Sequence, residues 1–226
     1  MNQYGVAHVR FLQKIMSKSF MYGSEVKEYF EKCLNASNIE PPDDLKEGLF
    51  EFIKAIKLNI MKLNYDIERS VCEKTGRSCY VFCCKKESFK DTIKPELRQF
   101  LTAIINQIVD NNGRLGNIAI SNIGNSFNEY KLSAGECDGL CREFIKSGWL
   151  IDDDNCGVVL SPRALIELKD DLKDRNVPDC NGCKTICVLG DSCQHCETKM
   201  HFRCAKKLFG GDNGKCPNCS ADWIFS

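Results

Sequence analysis

The sequence predicts a mainly α-helical fold with small β wings, ending in a compact metal-held module. Three observations carry that expectation. Amphipathic helical stripes recur through most of the chain, and short strand-like runs follow them. The order of helices and then a hairpin occurs twice. The last stretch then holds eight metal-type ligands in four pairs of one format: Cys180-x2-Cys183, Cys193-x2-Cys196, His201-x2-Cys204 and Cys216-x2-Cys219.

The first segment, residues 1–88, opens with Val6, Val9, Leu12, Met16 and Phe20 at helical spacing, widened by Phe11 and Ile15. His8 reads as an ordinary helix residue. A second helix is expected over Ser24–Leu34. Pro41-Pro42-Asp43-Asp44 breaks the chain and offers an N-cap to a third helix, which carries Leu45, Leu49, Phe52, Ile53, Ile56, Ile60 and Leu63. The period then changes to two at Tyr65, Ile67 and Val71. Lys74-Thr75-Gly76-Arg77 is a turn, and Ser78–Cys83 returns as a second strand. Three helices and a β-hairpin are the order of a winged helix.

Residues 89–176 repeat that order. Leu97, Leu101, Ile104, Ile105 and Ile108 form a stripe after Pro95, stopped at Asn111-Asn112-Gly113. A short helix covers Ile118–Phe127. Ser133 and Glu136 form a capping box before Leu140, Phe144 and Ile145. Gly148–Ile151 and Val158–Leu160 flank the turn Asp152–Gly157 as strands. Ser161-Pro162 then starts a closing helix through Leu165, Leu168 and Leu172. The expected architecture is two winged-helix domains in tandem, then Asp174–Pro178 as a linker to the metal module, residues 177–226.

Composition excludes several functions. Lys plus Arg and Asp plus Glu number 31 each, so a generally basic nucleic-acid binder is not expected. Lys54, Lys57 and Lys62 on one helix read as a solvated face. The opening residues lack a basic segment followed by an apolar run, so no signal peptide is expected. No apolar stretch nears the roughly 18 residues of a membrane span, so no membrane partner is expected. Of 16 cysteines, Cys33, Cys72, Cys79, Cys83, Cys84, Cys137, Cys141 and Cys156 precede the module and read mostly as buried, reduced thiols. Cys72 and Cys79 can face each other across a hairpin, but the reducing compartment expected of a chain without a secretory signal disfavours a disulfide. No catalytic triad, phosphate loop or paired-acid signature stands out, so no catalytic side chain is assigned.

The spacing of the four pairs discriminates between wirings. Two residues between ligands let both reach one tetrahedral zinc. The short gap between the second and third pairs disfavours sequential fingers and suits a cross-brace. Cys180, Cys183, His201 and Cys204 then hold one Zn2+ ion, and Cys193, Cys196, Cys216 and Cys219 hold the other. Cys187 and His195 are bystanders. Both sites are fully protein-coordinated and therefore structural. So short a segment cannot bury a self-sufficient core, and metal must supply its folding energy. The ligand order fits PHD fingers and RING variants. Gly214 stands where PHD fingers carry an aromatic, and Pro217 lies inside the last pair, so a RING variant is favoured.

With these residues in place, the chain resembles the first non-SMC element family of the Smc5–Smc6 chromosome-maintenance complex. The resemblance rests on His8-Val9-Arg10-Phe11-Leu12-Gln13, Trp149-Leu150-Ile151, Gly157 through Leu168, and Met200-His201 before the third pair. It implies tight pairing with a MAGE-domain protein (the third non-SMC element) and contact with the kleisin subunit (the fourth). It also implies a nuclear, chromatin-associated role in DNA repair, and RING-type ubiquitin ligase activity aided by the MAGE partner. The surface expected to dock a ubiquitin-conjugating enzyme is Ile186, Val188, Leu189, Leu208, Phe209 and Pro217. The sequence departs from active RINGs at Gly182, where a docking isoleucine is common, and at Ser220, where an arginine is common. The alternative is a non-catalytic scaffold whose zinc module only binds protein. Contact with DNA is expected to be weak or made through the complex.

Overall fold

The computed structural model describes residues 4–86, 93–126, 131–154, 156–210 and 214–225. It divides into two compact units, Met1–Cys72 with Arg77–Thr92, and Glu73–Gly76 with Ile93–Ser226. The expected boundary at residues 88 and 89, the helix end at Phe127 and the turn residue Asn155 lie outside the described residues. No helix among the described residues is long and apolar enough to cross a membrane.

The first unit contains α1 (Val6–Lys18), β1 (Phe20–Tyr22), α2 (Gly23–Asn35), α3 (Leu45–Ile60), β2 (Tyr65–Val71) and β3 (Ser78–Cys84). Asp44 starts α3, its Oδ1 accepting from the Lys46 and Glu47 N–H groups at 2.7 and 3.3 Å. The strands pair antiparallel in the order β1-β3-β2. Strand β1 corrects the sequence reading, which ran the first helix through Phe20. Three residues are too few to display a strand period, and pairing with β3 decides their conformation.

The buried face of α1 is a second correction. Ala7, His8, Phe11 and Ile15 are buried, whereas Val6, Val9 and Met16 are 63%, 39% and 49% exposed. Two apolar stripes overlap on this helix, and only the one facing Phe52 of α3 enters the core. Phe52 meets Phe11 at 5.5 Å, Phe30 at 4.9 Å and His8 at 4.1 Å between ring centroids. His8 also accepts from the Gly5 N–H at Nδ1, 3.1 Å away, closing the first turn. On the polar side of α3, Lys54 pairs with Glu51 and Lys57 with Asp66, each at 3.1 Å. These contacts add little stability, but they neutralise two of the three lysines that a phosphate backbone would have to meet.

The second unit begins with another winged helix: α4 (Pro95–Asp110), β4 (Leu115–Gly116), α5 (Asn117–Asn125), α6 (Ala134–Lys146), β5 (Leu150–Asp152) and β6 (Gly157–Leu160). Its sheet order, β4-β6-β5, again includes a strand too short to be read from sequence. The capping box forms as expected, with Ser133 Oγ accepting from the Glu136 N–H and Glu136 Oε2 accepting from the Ser133 N–H. The closing helix is two short helices, α7 (Pro162–Glu167) and α8 (Lys169–Asp174), separated at Leu168 with φ −99° and ψ 12°. Leu165, Leu168 and Leu172 are nevertheless all buried, as the stripe requires. Buried Trp149 lies under the Arg163 guanidinium at 4.6 Å. Ser161 is fully buried, donates to the Gly148 carbonyl at 2.5 Å and accepts from the Ala164 N–H at 3.0 Å.

Six of the eight non-module cysteines are buried, Cys84 is half-buried, and Cys156 is exposed, against expectation, because it sits at the end of the β5–β6 turn. All eight are thiols rather than disulfide sulfurs. Burial beside Cys72 pushes the Cys79 thiol up to about 12, so it stays protonated and unreactive.

Truncating Phe52 to Ala should cost the first unit about 3–5 kcal/mol. Ser161→Ala should cost about 1–2 kcal/mol by removing an N-cap and a buried bond. Urea unfolding checks both.

Candidate metal centre

Three of the four ligand pairs are built as the same knuckle. In Cys180–Thr185 the Cys180 N–H donates to the Thr185 carbonyl at 2.7 Å and the Lys184 N–H to the Cys180 carbonyl at 2.8 Å. Cys193–Thr198 repeats this with 2.9 and 3.0 Å, and Cys216–Ala221 with 2.8 and 2.9 Å. Each turn closes through a residue with positive φ directly after its second cysteine: Lys184 at 59°, Glu197 at 59° and Ser220 at 60°. This geometry aims two sulfurs and the intervening amides at one point. The fourth pair differs. His201 is the N-cap residue of α9 (Phe202–Phe209), and Cys204 lies within that helix.

The eight residues assemble into two interleaved clusters, Cys180, Cys183, His201 and Cys204, and Cys193, Cys196, Cys216 and Cys219. The donor atoms in each lie within 4.8 Å of one another. In the second cluster the Cys193–Cys219 and Cys196–Cys216 sulfurs are 3.6 and 3.5 Å apart. A tetrahedral ion with 2.3 Å bonds to sulfur has an edge of about 3.8 Å. In the first cluster His201 Nδ1 is 3.3 Å from Cys183 Sγ and 3.9 Å from Cys204 Sγ. Donor type and spacing thus fit zinc at both positions. His195 is exposed and outside both sets.

The thiols themselves call for a cation. Hydrogen bonds from the Thr198 and Asn218 side chains hold Cys196 down at about 5. Burial raises Cys183, but the Thr185 hydroxyl 3.1 Å away, the Thr185 backbone and His201 bring it to about 7. Within the second cluster the Ala221 N–H pulls Cys219 down, yet burial and the three neighbouring sulfurs push it up to about 12. Crowded thiolates cannot all ionise unless a positive charge sits among them. Thr185 and Thr198 complete a Cys-x2-Cys-x-Thr repeat that is present in the sequence but emerges as meaningful only from these contacts.

A small apolar cluster backs the second site. Phe209 packs on Trp223 at 5.3 Å and on Phe225 at 6.0 Å. Gly214, in β9 (Gly214–Lys215), lies under the Phe209 ring, and a Cβ there would fall 2.2 Å from it. Strand β9 pairs with β10 (Asp222–Trp223), as β7 (Asp191–Ser192) pairs with β8 (Lys199–Met200).

The expected docking face is only partly exposed. Leu208 is 56% exposed, Pro217 is exposed and Phe209 half-buried. Ile186, Val188 and Leu189 are buried at 7%, 1% and 3%, which corrects their assignment to a partner surface. The segment they occupy is the seam with the second winged helix. Gly113, at φ 97°, approaches Leu189 so closely that a Cβ would sit 2.6 Å from its Cα. Asn112 Nδ2 donates to the Gly190 carbonyl at 3.2 Å, and half-buried Lys199 donates to the Val188 carbonyl at 2.8 Å. The Val188 and Leu189 N–H groups donate to the two carboxylate oxygens of Glu73 at 3.0 and 2.9 Å. Glu73 is a site residue that sequence reasoning missed. Nothing local marks it, since it lies 128 positions before its other partner, His201. Cys187, the other bystander, is buried here, its Sγ 3.8 Å from the Leu189 carbonyl.

Comparison with known proteins bears on both ends of the chain. A family model described as the Nse1 non-SMC component of the SMC5-6 complex matches residues 8–123, and one described as a RING-like domain matches residues 180–219. A Xenopus laevis protein named non-structural maintenance of chromosomes element 1 homolog is 28% identical, the match spanning 96% of this chain and 82% of that one. The Homo sapiens protein of the same name is 26% identical over 96% of this chain and 83% of its own length. A solved chain from an Nse1-Nse3-Nse4 complex has the same fold, with a TM-score of 0.88 at 24% identity over 100% of both chains.

Gly214→Ala should displace Phe209 and cost about 1–3 kcal/mol. The expected readout is a lower melting temperature of the C-terminal module, followed by Trp223 fluorescence in a Trp149→Phe background.

Proposed function

The chain belongs to the Nse1 family of non-SMC components of the SMC5-6 complex, and from that premise we propose that it is the RING-type ubiquitin ligase subunit of such a complex. It binds two Zn2+ ions, one at each four-donor cluster. It pairs with a MAGE-domain subunit and contacts a kleisin subunit, a reading supported by the Nse3 and Nse4 chains of the similar solved complex. It acts at chromatin in the nucleus, in DNA repair and genome maintenance, and reaches DNA weakly or through its partners. The observation that carries the proposal is the pair of interleaved donor clusters in a chain of this family.

Such a ligase forms no covalent intermediate. It holds a charged ubiquitin-conjugating enzyme and restrains the thioester for attack by a lysine, so the gain is positional. The zinc ions supply only rigidity, since every coordination position is filled by protein. The chain contributes an accessible rim made of Leu208 at the end of α9, Pro217 in the last knuckle and the partly covered Phe209.

A second reading has its own support. With Ile186, Val188 and Leu189 buried and Gly182 between the first ligands, the first knuckle offers little apolar surface to a conjugating enzyme. A scaffold subunit, with the module as a protein-binding surface, fits that observation.

Metal analysis of the purified chain should find two zinc equivalents. Ubiquitin discharge from a panel of conjugating enzymes, with the MAGE-domain partner present, should fall about tenfold or more in a Leu208→Ala, Pro217→Ala double variant, because about 1–3 kcal/mol of apolar contact is lost. No discharge under any pairing, with partner binding intact, selects the scaffold.

A further inference from the structure

We propose that Glu73 is a positioning residue of the metal centre, an outer-shell carboxylate that fixes the ring orientation and tautomer of His201. The inference rests on the zinc reading above and goes beyond it, because Glu73 lies in the β2–β3 turn, far in sequence from the ligand pairs.

Two features of His201 lead here. Its Nε2 is 2.9 Å from Glu73 Oε1 and 3.1 Å from the Ile186 carbonyl. Both are acceptors, so Nε2 must carry the ring proton. In the neutral ring Nδ1 is then left with its lone pair, close to Cys183 and Cys204, the form in which an imidazole ligates a metal. Without Glu73 the ring would keep only the uncharged and longer contact to the Ile186 carbonyl, which holds its orientation and tautomer less firmly.

Glu73 is itself immobilised. Its side chain is 5% exposed. One oxygen accepts from the Val188 N–H and the other from the Leu189 N–H, so neither oxygen is left without a donor. A carboxylate this buried is costly unless so satisfied. The adjacent Lys74 anchors the turn, its Nζ 2.9 Å from Asp154 Oδ1, 3.7 Å from Asp153 Oδ1 and 2.8 Å from the Asp152 carbonyl. Half-buried Lys199 adds a positive charge at the Val188 carbonyl.

Glu73, Cys187 and His201 also form a three-donor group. They do not make a third metal site beside the first. A neutral His201 has one lone pair to give, at Nδ1, and its Nε2 carries a proton directed at Glu73 and the Ile186 carbonyl.

The test uses the full-length chain loaded with zinc, and measures release to a chromogenic chelator together with exchange of the His201 Nε2 proton by 15N-resolved NMR. In Glu73→Ala, one of the two equivalents should leave about 10–100-fold faster, the other at the original rate, and the Nε2 proton should exchange rapidly. A role confined to holding the Val188 and Leu189 amides would quicken exchange of those amides alone. Unchanged zinc release with a protected ring proton overturns the inference. If the alanine chain does not fold, Glu73→Gln decides: it preserves shape but places an NH2 group against one N–H donor, so one equivalent should leave at least threefold faster, and unchanged release overturns the proposal. Fewer than two equivalents in the unaltered chain would overturn the zinc reading and this inference with it; two equivalents with unaltered variants would overturn this inference alone.

Discussion

Clusters of four donors held within 4.8 Å of one another are the constraint from which the C-terminal module follows. Without a cation, such sulfurs repel one another when ionised, and the opposed shifts of Cys196 and Cys219 express that conflict. With zinc, apparent binding of about 10–16 kcal/mol becomes folding energy. The module's apolar cluster, Met200, Ala205, Phe209, Trp223 and a few neighbours, is too small to supply this. The knuckles, the cross-brace and the short strands are therefore consequences of where the donors must meet.

That constraint also explains why part of the expected partner surface is missing. The residues after the first knuckle run into the seam with the second winged helix, where Gly113, Asn112, Lys199 and Glu73 each hold backbone or side chain of Val188–Gly190. Ile186, Val188 and Leu189, expected at a partner surface, serve here as internal packing. Of the expected docking residues, those that remain accessible lie at the α9 end and in the last knuckle, a narrower face.

The winged-helix units are governed by ordinary packing. Phe52 in the first gathers three rings around one side chain, while Trp149 and Ser161 in the second fasten the hairpin to the helix that follows. Neither depends on surplus positive charge, consistent with a chain whose acidic and basic residues balance at 31 each.

The sequence by itself determined the two groups of four donors, because Cys-x2-Cys spacing is a local property of a turn and the gaps between pairs restrict how they can group. It likewise determined the helix starts at Asp44, Ser133 and Ser161, since capping is satisfied within a few residues. Tertiary structure alone decided which of two stripes on α1 is buried, that Phe20–Tyr22 and Leu115–Gly116 are strands, that Ile186, Val188 and Leu189 are interior, and that Glu73 meets His201. Each of these depends on a surface supplied by residues distant in the chain, and no periodicity or spacing encodes what a residue will face across such a gap.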